Sequence, residues 1–296
     1  MNGSRVMPDE SLTLAVSAFV DPRTPSRIFS TLRSEGRDGL KRRFLSLGDQ
    51  EKAAVVSKAE ELESRGVFAV LLGDDAYPVQ LGPLASSSPI FFCWGNPDLF
   101  SVPSIGMCGS RKASELGLKA AGICGEEASA SHIAVVSGYA KGVDTETHLA
   151  ALNSGGRTVI VLPEGIDSFR IKREFPRHLF RKDDVLVVSQ FAPRQPWTAG
   201  AAMTRNKVIY GLGLALVVIE AGERGGTLAA GEGALASGRP VLVLDFNGST
   251  PAGNRVLLQK GGLPVPNRRR LQEVIQVLDR QRPTSDNQLG LLQKLF

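Results

Sequence analysis

The sequence predicts an α/β protein: a doubly wound, mostly parallel, extended Rossmann-like sheet with a small N-terminal helical domain. Short apolar runs alternate with helix-length segments between about residues 104 and 265, which is typical of parallel strands buried between two helical layers. Several of these runs end in glycine-rich turns that carry a cation. Before them, the first 66 residues show helical patterns interrupted by proline and glycine, which favours a small bundle.

Composition limits the function classes. The chain has 296 residues, 42% of them hydrophobic, and a formal net charge of +5, so a large soluble core is expected and polyanionic partners are favoured slightly. Its three cysteines show no C-x-x-C spacing and there are only three histidines, which disfavours a disulfide framework and a metal site. No apolar stretch is long enough to span a membrane. We therefore expect a cytoplasmic protein with no metal, cofactor or membrane partner.

The predicted elements divide the chain into three parts. Residues 1–66 are expected to form the helical bundle, and 67–265 the Rossmann-like core. Residues 266–296 are expected to form a basic linker and a short C-terminal helix, with too little chain for a winged-helix domain. The expected strands are Val67–Leu72, Pro89–Trp94, Ser104–Met107, Ile133–Val136, Thr158–Leu162, Val185–Val188, Ala215–Ile219 and Pro240–Leu244. The expected core helices are Glu115–Ser129, Thr145–Leu152, Ala199–Leu212 and Leu228–Ser237, with Leu271–Leu278 after the core.

Three glycine turns at predicted strand ends are candidate phosphate-binding sites. A strand, a glycine turn and a helix start present backbone N–H groups beside the positive end of the helix. The turns comprise Gly109, Ser110 and Arg111; Ser137, Gly138, Lys141 and Gly142; and Gly225, Gly226 and Thr227. Each could also be an ordinary helix cap with an exposed cation. The recurrence of the same arrangement favours an anionic, nucleotide-like ligand.

Two polar residues follow the second turn. Asp144 is placed to cap the next helix, which we favour over a role as a catalytic acid. His148 lies four residues later on that helix and could pair with Asp144. A general base remains an alternative, but no nucleophile lies nearby in the sequence.

Two further segments carry cations. Arg205, Asn206 and Lys207 lie on a predicted helix and could contact phosphates or form a solvated face. Arg170, Lys172 and Arg173 begin a basic stretch interleaved with three phenylalanines, a combination that suits single-stranded nucleic acid. The alternative is a loop whose phenylalanines anchor it to the core. Trp197 could likewise stack on a base or simply pack.

The chain resembles the DNA-processing A proteins, also called the DprA/Smf family. The matching elements keep their order across roughly residues 77–265, and the N-terminal helices fit the small bundle that often precedes that core. They include the three glycine turns, His148 and the segment Arg205-Asn206-Lys207, together with Tyr77-Pro78, Gly155-Gly156, Glu220-Ala221, Gly238-Arg239 and Gly253-Asn254.

The resemblance implies a non-enzymatic protein that binds single-stranded DNA cooperatively, commonly dimerises, helps to load the RecA recombinase and protects incoming DNA during natural transformation. By the same resemblance, Arg111, Lys141, Arg205 and Lys207 match basic positions of the family's pocket. Lys141 stands where arginine is usual, which keeps the attraction for phosphate but loses the planar fork.

Some segments depart from the family pattern, namely Leu162-Pro163-Glu164-Gly165, Gln190 and residues 244–248. Two alternatives therefore stay open. One is a nucleotide-ligand sensor or nucleosidase related to the cytokinin-activating phosphoribohydrolases, which the glycine turns and Glu232 behind the third turn favour. That glutamate lies five residues after Thr227, where the enzyme motif has three. The other, which only Glu164 and Gln190 favour, is a specialised paralogue in phage defence or mobile-element maintenance.

Overall fold

The computed structural model describes residues 9–20 and 24–280. The described chain forms a sheet in the order β1-β2-β6-β5-β4-β3-β7-β8-β9. The strands are β1 (Val67–Leu71), β2 (Ile90–Gly95), β3 (Ser104–Cys108), β4 (Ala134–Ser137), β5 (Thr158–Val161), β6 (Val185–Ser189), β7 (Leu216–Val218), β8 (Val241–Leu244) and β9 (Leu263–Val265). Strand β2 runs antiparallel to β1 and β6, and the remaining pairs are parallel. The predicted mostly parallel α/β fold is confirmed.

The α-helices alternate with the strands as the sequence pattern indicates. They are α1 (Glu10–Ser17), α2 (Pro25–Leu45), α3 (Asp49–Ser64), α4 (Glu115–Ala130), α5 (Val143–Asn153), α6 (Ala199–Leu212), α7 (Gly226–Ala236), α8 (Ala252–Gln259) and α9 (Arg268–Arg280). Helix α2 bends at Gly36, where φ is +59°, and continues through Gly39. The predicted linker and apolar tail after residue 280 lie outside the described residues. No helix in the described ranges is long and apolar enough to cross a membrane.

Both faces of the sheet are covered. Helices α4, α5 and α9 pack on one face around Met107, Val135 and Val217. Helices α1–α3 extend the cover of that face over β1, β2 and β6, where Leu12, Leu62 and residues of these strands share one apolar cluster. On the opposite face, α6, α7 and α8 pack together with a 3-10 helix at Val79–Ser87. Strands buried on both faces explain the uninterrupted apolar runs, such as Val185–Ser189, in which every residue is buried.

Strand β3 is the topological switch point. Its neighbours are β4, the next strand along the chain, and β7, the fourth strand after it. Connections from β3 towards β4, β5 and β6 run to one side, and β7, β8 and β9 lie on the other. A crevice therefore opens outside the carboxyl ends of β3 and β7, where doubly wound folds bind their ligands.

One strand and one α-helix escaped prediction. Strand β9 has only three residues, one of them Pro264, and lies at the edge of the sheet, where a missing N–H is tolerated. Helix α8 has eight residues and follows the loop after β8. Both are too short to show a clear apolar period in the sequence.

Candidate functional site

A pocket of about 340 Å³ lies at the switch point. It is lined from the turns after β3, β4 and β7 and from helix α6. The lining comprises Cys108, Gly109, Ser110, Arg111, Ala140, Asp144, Ala202, Met203, Arg205, Asn206, Ile209, Gly222, Arg224, Gly226 and Thr227. Elements more than a hundred residues apart in sequence thus meet around one cavity, and all three predicted glycine turns contribute to it or adjoin it.

The first two turns are docked against each other. The backbone N–H of Val143 donates to the carbonyl oxygen of Ser110 at 3.2 Å. Gly142 has φ of +78°, and a Cβ there would overlap the carbonyl oxygens of Ser110 and Arg111. A Cβ at Gly109 would in turn overlap the side chain of Val143. Both glycines are needed because the two turns share one backbone contact surface.

The Gly109 turn is not itself a helix cap. Ser110 Oγ accepts from the backbone N–H of Lys112 at 3.0 Å, and α4 begins only after its N-cap residue Ser114. Ser114 is held by a residue that the sequence reading did not single out for this role, Glu220, whose carboxylate accepts from the Ser114 N–H and hydroxyl at 3.0 and 2.7 Å. The signals in the sequence were an acid two residues after β7 and the family match at Glu220-Ala221. The alternative of a simple cap at Gly109–Arg111 is therefore wrong.

Arg205 forms the floor of the pocket. Its side chain approaches across Gly138, where a Cβ would overlap both Arg205 Nη1 and Asp144 Oδ2. Arg205 is only 5% exposed, its Nη1 donates to the Val161 carbonyl oxygen at 3.2 Å, and its Nε has no hydrogen-bond partner. Burial lowers the pKa of Arg205, and the charge of Asp144 opposes that shift. Arg205, which the sequence predicts as a possible phosphate contact, is thus a buried cation whose Nε has no hydrogen-bond partner.

Asp144 faces this guanidinium rather than capping a helix. Helix α5 begins at Val143 with Gly142 as its N-cap, so the predicted cap at Asp144 is wrong. The Asp144 carboxylate accepts from the backbone N–H of Ala140 at 3.3 Å. Burial raises the pKa of Asp144, and the charge of Arg205 opposes that rise. The carboxylate compensates the buried cation and fixes the second turn.

The predicted pair of Asp144 and His148 is also wrong. His148 is fully buried, its Nε2 donates to the Gly138 carbonyl oxygen at 2.7 Å, and its Nδ1 lies 2.5 Å from Thr158 Oγ1. Both ring nitrogens are therefore occupied by β4 and β5. Burial lowers the pKa of His148 to about 4, so the ring is a neutral structural bridge that holds the second turn.

The third turn and helix α6 close the pocket. Gly225 has φ of +114° and is the N-cap residue of α7, so that Gly226 and Thr227 begin the helix at the cavity. Asn206 Nδ2 donates to the Gly226 carbonyl oxygen at 3.3 Å. This bond ties α6 to the third turn. Lys207, by contrast, is exposed and does not line the pocket.

Lys141 borders the site without lining it. The side chain is exposed next to Ala140, which does line the cavity. The cations that line it are Arg111, Arg205 and Arg224. Arg224 precedes the third glycine turn, so its position in the sequence was a usable signal.

The phenylalanines of the basic stretch anchor it to the core. Phe175 and Phe180 are 3% and 5% exposed, and Phe169 packs against Trp94, Tyr139 and Phe180 with ring centroids 5.8–6.2 Å apart. Phe175 and Phe180 are therefore closed to bases, and Phe169 is half-buried among the other rings. This packing does not support the prediction that the phenylalanines of the basic stretch stack on the bases of a single strand.

The cations of this stretch have separate roles. Lys172 Nζ lies 4.1 Å from the centroid of the Tyr139 ring and donates to the Tyr139 carbonyl oxygen, and burial lowers its pKa. Lys172 therefore braces the second turn. Arg170 is exposed and donates to the carbonyl oxygens of Asp167 and Phe169, while Arg173 is exposed. None of the three lines the pocket.

The described residues contain no cluster of three or more histidine, cysteine, aspartate or glutamate side chains arranged to hold a metal ion. The chemistry of the pocket is that of donors. Backbone N–H groups at the turns, three guanidinium groups and the Asn206 amide surround a cavity with one carboxylate at its floor. Charged and directed donors of this kind suit the oxygens of a phosphate group.

Comparisons with known proteins show the family of the chain. The family model of DNA recombination-mediator protein A matches residues 68–276, which include every strand but the first residue of β1. The chain belongs to this family. The resemblance seen in the sequence is thereby confirmed.

Among curated relatives, the DNA processing protein DprA of Streptococcus pneumoniae is 34% identical over 188 residues, covering 63% of this chain and 65% of that protein. The Smf protein of Escherichia coli is 27% identical over 238 residues, covering 79% of this chain and 63% of its own length. The chain thus spans less than two thirds of the length of these relatives.

A solved structure of DNA processing protein A from Streptococcus pneumoniae superposes with a TM-score of 0.65 at 28% identity, covering 90% of this chain and 93% of that one. The corresponding protein of Helicobacter pylori, whose structure concerns a single-stranded DNA binding mode, superposes with a TM-score of 0.62 at 19% identity, covering 73% of this chain and 97% of that one. At this identity, the likeness to the Helicobacter pylori protein shows the fold alone.

Proposed function

We propose that this protein binds single-stranded DNA through the phosphates of its backbone and carries out no catalysis at this site. The observation that supports this most is Arg205, a buried guanidinium that lines a cavity built from three glycine turns. A buried cation is costly unless opposite charge compensates it. An anionic oxygen bound in the cavity would add to the compensation that Asp144 gives.

The surrounding charge supports a polyanion rather than a single small anion. Arg111 and Arg224 line the cavity, and Lys112 and Lys141 are exposed beside its turns. The chain as a whole carries a formal charge of +5. Several cations at and beside one cavity suit a chain of phosphates, whose binding releases counterions.

The wider role follows from family membership. We propose that the protein acts in DNA recombination of the kind that accompanies natural transformation. In this role a homodimer delivers single-stranded DNA to a RecA-type recombinase. The names of the relatives, DNA recombination-mediator and DNA processing proteins, support this. Light scattering of the purified chain tests the dimer, and assembly of recombinase on DNA coated with a single-strand-binding protein tests the delivery.

The binding experiment compares two double variants of equal charge. Arg111→Gln with Lys141→Gln removes two cations at the site. Arg33→Gln with Lys119→Gln removes two exposed cations on α2 and α4 that do not line the pocket. We expect the site variant to bind an oligothymidylate about 10-fold or more weakly at low salt, with a salt slope smaller by about 1.4, because two phosphate contacts are lost.

The control variant should keep the affinity and slope of the parent within about twofold. Equal affinities of the site variant and the control, with both folded by circular dichroism, would sink the proposal. A panel of nucleoside monophosphates measured at the same two salt concentrations separates a strand-binding site from a mononucleotide site.

The phosphoribohydrolase alternative is disfavoured by one observation. Glu232, which lies behind the third turn, pairs with Lys260, the residue that follows α8, and does not line the pocket. The carboxylate at the pocket is Asp144, which is engaged with Arg205. Release of free base from a nucleoside monophosphate by the purified protein would revive the alternative.

A further inference from the structure

Trp197 is an exposed aromatic ring beside the pocket. It is 48% exposed, and among the exposed large hydrophobic side chains of the described residues it is the only aromatic one. The other aromatic side chains near the site, those of the basic stretch, are packed on one another. Trp197 takes part in none of the three apolar clusters. Its ring is therefore not needed to fill the core.

The backbone holds Trp197 in place. It directly precedes Thr198, the N-cap residue of α6, whose Oγ1 accepts from the Ala201 N–H at 3.0 Å. Before it, the loop is tied by the bond from the Gly165 N–H to the Gln195 carbonyl oxygen at 2.9 Å. Helix α6 then carries Met203, Arg205 and Asn206 to the cavity. Trp197 and the floor of the pocket thus belong to one continuous segment.

The Trp197 ring lies against a cation of the pocket. Arg111 Cζ lies 5.6 Å from the centroid of the Trp197 ring, and Arg111 lines the pocket. A guanidinium can stack on an aromatic ring and still direct its N–H groups at a phosphate. One residue thereby links the aromatic surface to the anion site.

The neighbouring surface is apolar as well. Met203 lines the pocket and is 44% exposed, and its Sδ would lie 3.8 Å from a Cβ at Gly226. The rim therefore presents an aromatic ring and a thioether above a floor of cations. Nucleotides of a single strand offer the same division, with flat apolar bases attached to a charged backbone.

We propose that Trp197 is a stacking platform for a nucleobase of the strand whose phosphate occupies the pocket. This inference rests on the proposed binding of single-stranded DNA and adds a contact to the bases themselves. Because every base has a π-face, such a platform tolerates any sequence but requires that bases be present and unpaired.

The test uses two oligonucleotides of equal length and charge, a dT15 strand and a fully abasic strand with the same number of phosphates. The proteins are the parent, Trp197→Ala and Trp197→Phe. We expect Trp197→Ala to bind dT15 about 10-fold more weakly and to bind the abasic strand within twofold of the parent, because only the stacking contact is lost. Trp197→Phe should recover most of the affinity for dT15.

Tryptophan fluorescence supplies a second readout. The chain has two tryptophans, and Trp94 is packed against Phe169 and Phe180. We expect dT15 to quench the emission of the parent, the abasic strand to quench it little, and Trp197→Phe to remove the quenching while Trp94 remains.

The outcomes separate the two proposals. If the parent binds neither strand, the proposed function fails and the platform with it. If the parent binds dT15 and Trp197→Ala binds it equally well, the platform alone is wrong. An equal loss of affinity for both strands would show that Trp197 only positions Arg111 for phosphate, which also overturns the platform.

Discussion

At the scale of single residues, the site depends on neutral and charged groups buried side by side. His148 bridges β4 and β5 through the Gly138 carbonyl oxygen and Thr158, and Arg205 lies on the other side of Gly138. Burial, together with the charges of Lys172 and Arg205, lowers the pKa of His148 to about 4. Protonation of the ring would place another cation beside these two. The neutral form is therefore part of the folded site.

The first prediction concerns the pH dependence of stability. The pKa of His148 in the folded protein, about 4, is below the ordinary value of 6.5, so the unfolded chain binds a proton between these pH values and the folded chain does not. The stability contributed by the neutral ring is complete above pH 6.5 and is lost as the pH falls towards 4. Between pH 6.5 and 4 we expect the free energy of unfolding of His148→Gln to fall less than that of the parent, by up to about 3 kcal/mol.

Urea unfolding at pH 7.5, 6.5, 5.5 and 4.5 measures the profile. The raised pKa of Asp144 makes the folded protein more stable as the pH falls, which opposes the effect of His148. This contribution is present in the parent and the variant alike. His178→Gln is the matched control, because His178 is exposed. Parallel profiles for the parent and His148→Gln would contradict the assignment of a buried neutral ring.

At the scale of elements, one buried side chain joins two strands and a helix on the β7 side of the site. Asn254 of α8 is fully buried, and its Oδ1 accepts from the Ala221 N–H at 2.8 Å. Its Nδ2 donates to the carbonyl oxygens of Ile219 and Leu244 at 3.0 and 2.8 Å. The carboxyl ends of β7 and β8 are thus held together next to the third glycine turn.

The second prediction is that Asn254→Ala destabilises the protein by about 2–4 kcal/mol, because backbone groups that the amide satisfies remain buried without partners. Thermal and urea unfolding measure the effect. Asn153→Ala, at the exposed end of α5, should change the free energy of unfolding by less than about 0.5 kcal/mol. A loss no larger than that of the control would show that water replaces the three bonds.

At the scale of the whole molecule, charges join the N-terminal helices to the core. Asp167, which lies after β5, pairs with Lys58 of α3 and with Arg65, the residue that follows α3, at 2.5 and 3.0 Å. The side chains of Lys58 and Asp167 are only 11% and 18% exposed. Together with the apolar cluster that α1–α3 share with β1 and β2, this pairing fixes where the helices lie on the sheet.

The third prediction is that Asp167→Asn destabilises the folded chain by about 1–3 kcal/mol at low salt, between the values typical of exposed and buried pairs. The difference from the parent should narrow in 1 M salt, since part of the attraction is screened. Asp98→Asn is the control, because Asp98 is exposed. A destabilisation equal to the control, or one that does not change with salt, would contradict the role of Asp167.

Prediction from sequence succeeded where the signal is local. The eight predicted strands were found within one or two residues of their positions, because strands buried on both faces leave uninterrupted apolar runs between turns. The glycine turns were found because their signal is also local: glycine and a cation follow directly after an apolar run. The short β9, with its proline, and α8 carry too few residues for a period to emerge.

The sequence by itself determined the alternation of strands and helices, the family, and the turns that offer backbone donors to an anion. The tertiary structure alone decided that β3 lies between β4 and β7, which brings three distant turns to one cavity. It also decided that Arg205 is buried, that His148 bonds to β4 and β5, that the phenylalanines near Lys172 are internal, and that Trp197 is exposed. The physical reason is that burial and side-chain partners depend on contacts between residues far apart in the chain, whereas periodicity and turn chemistry are properties of neighbours.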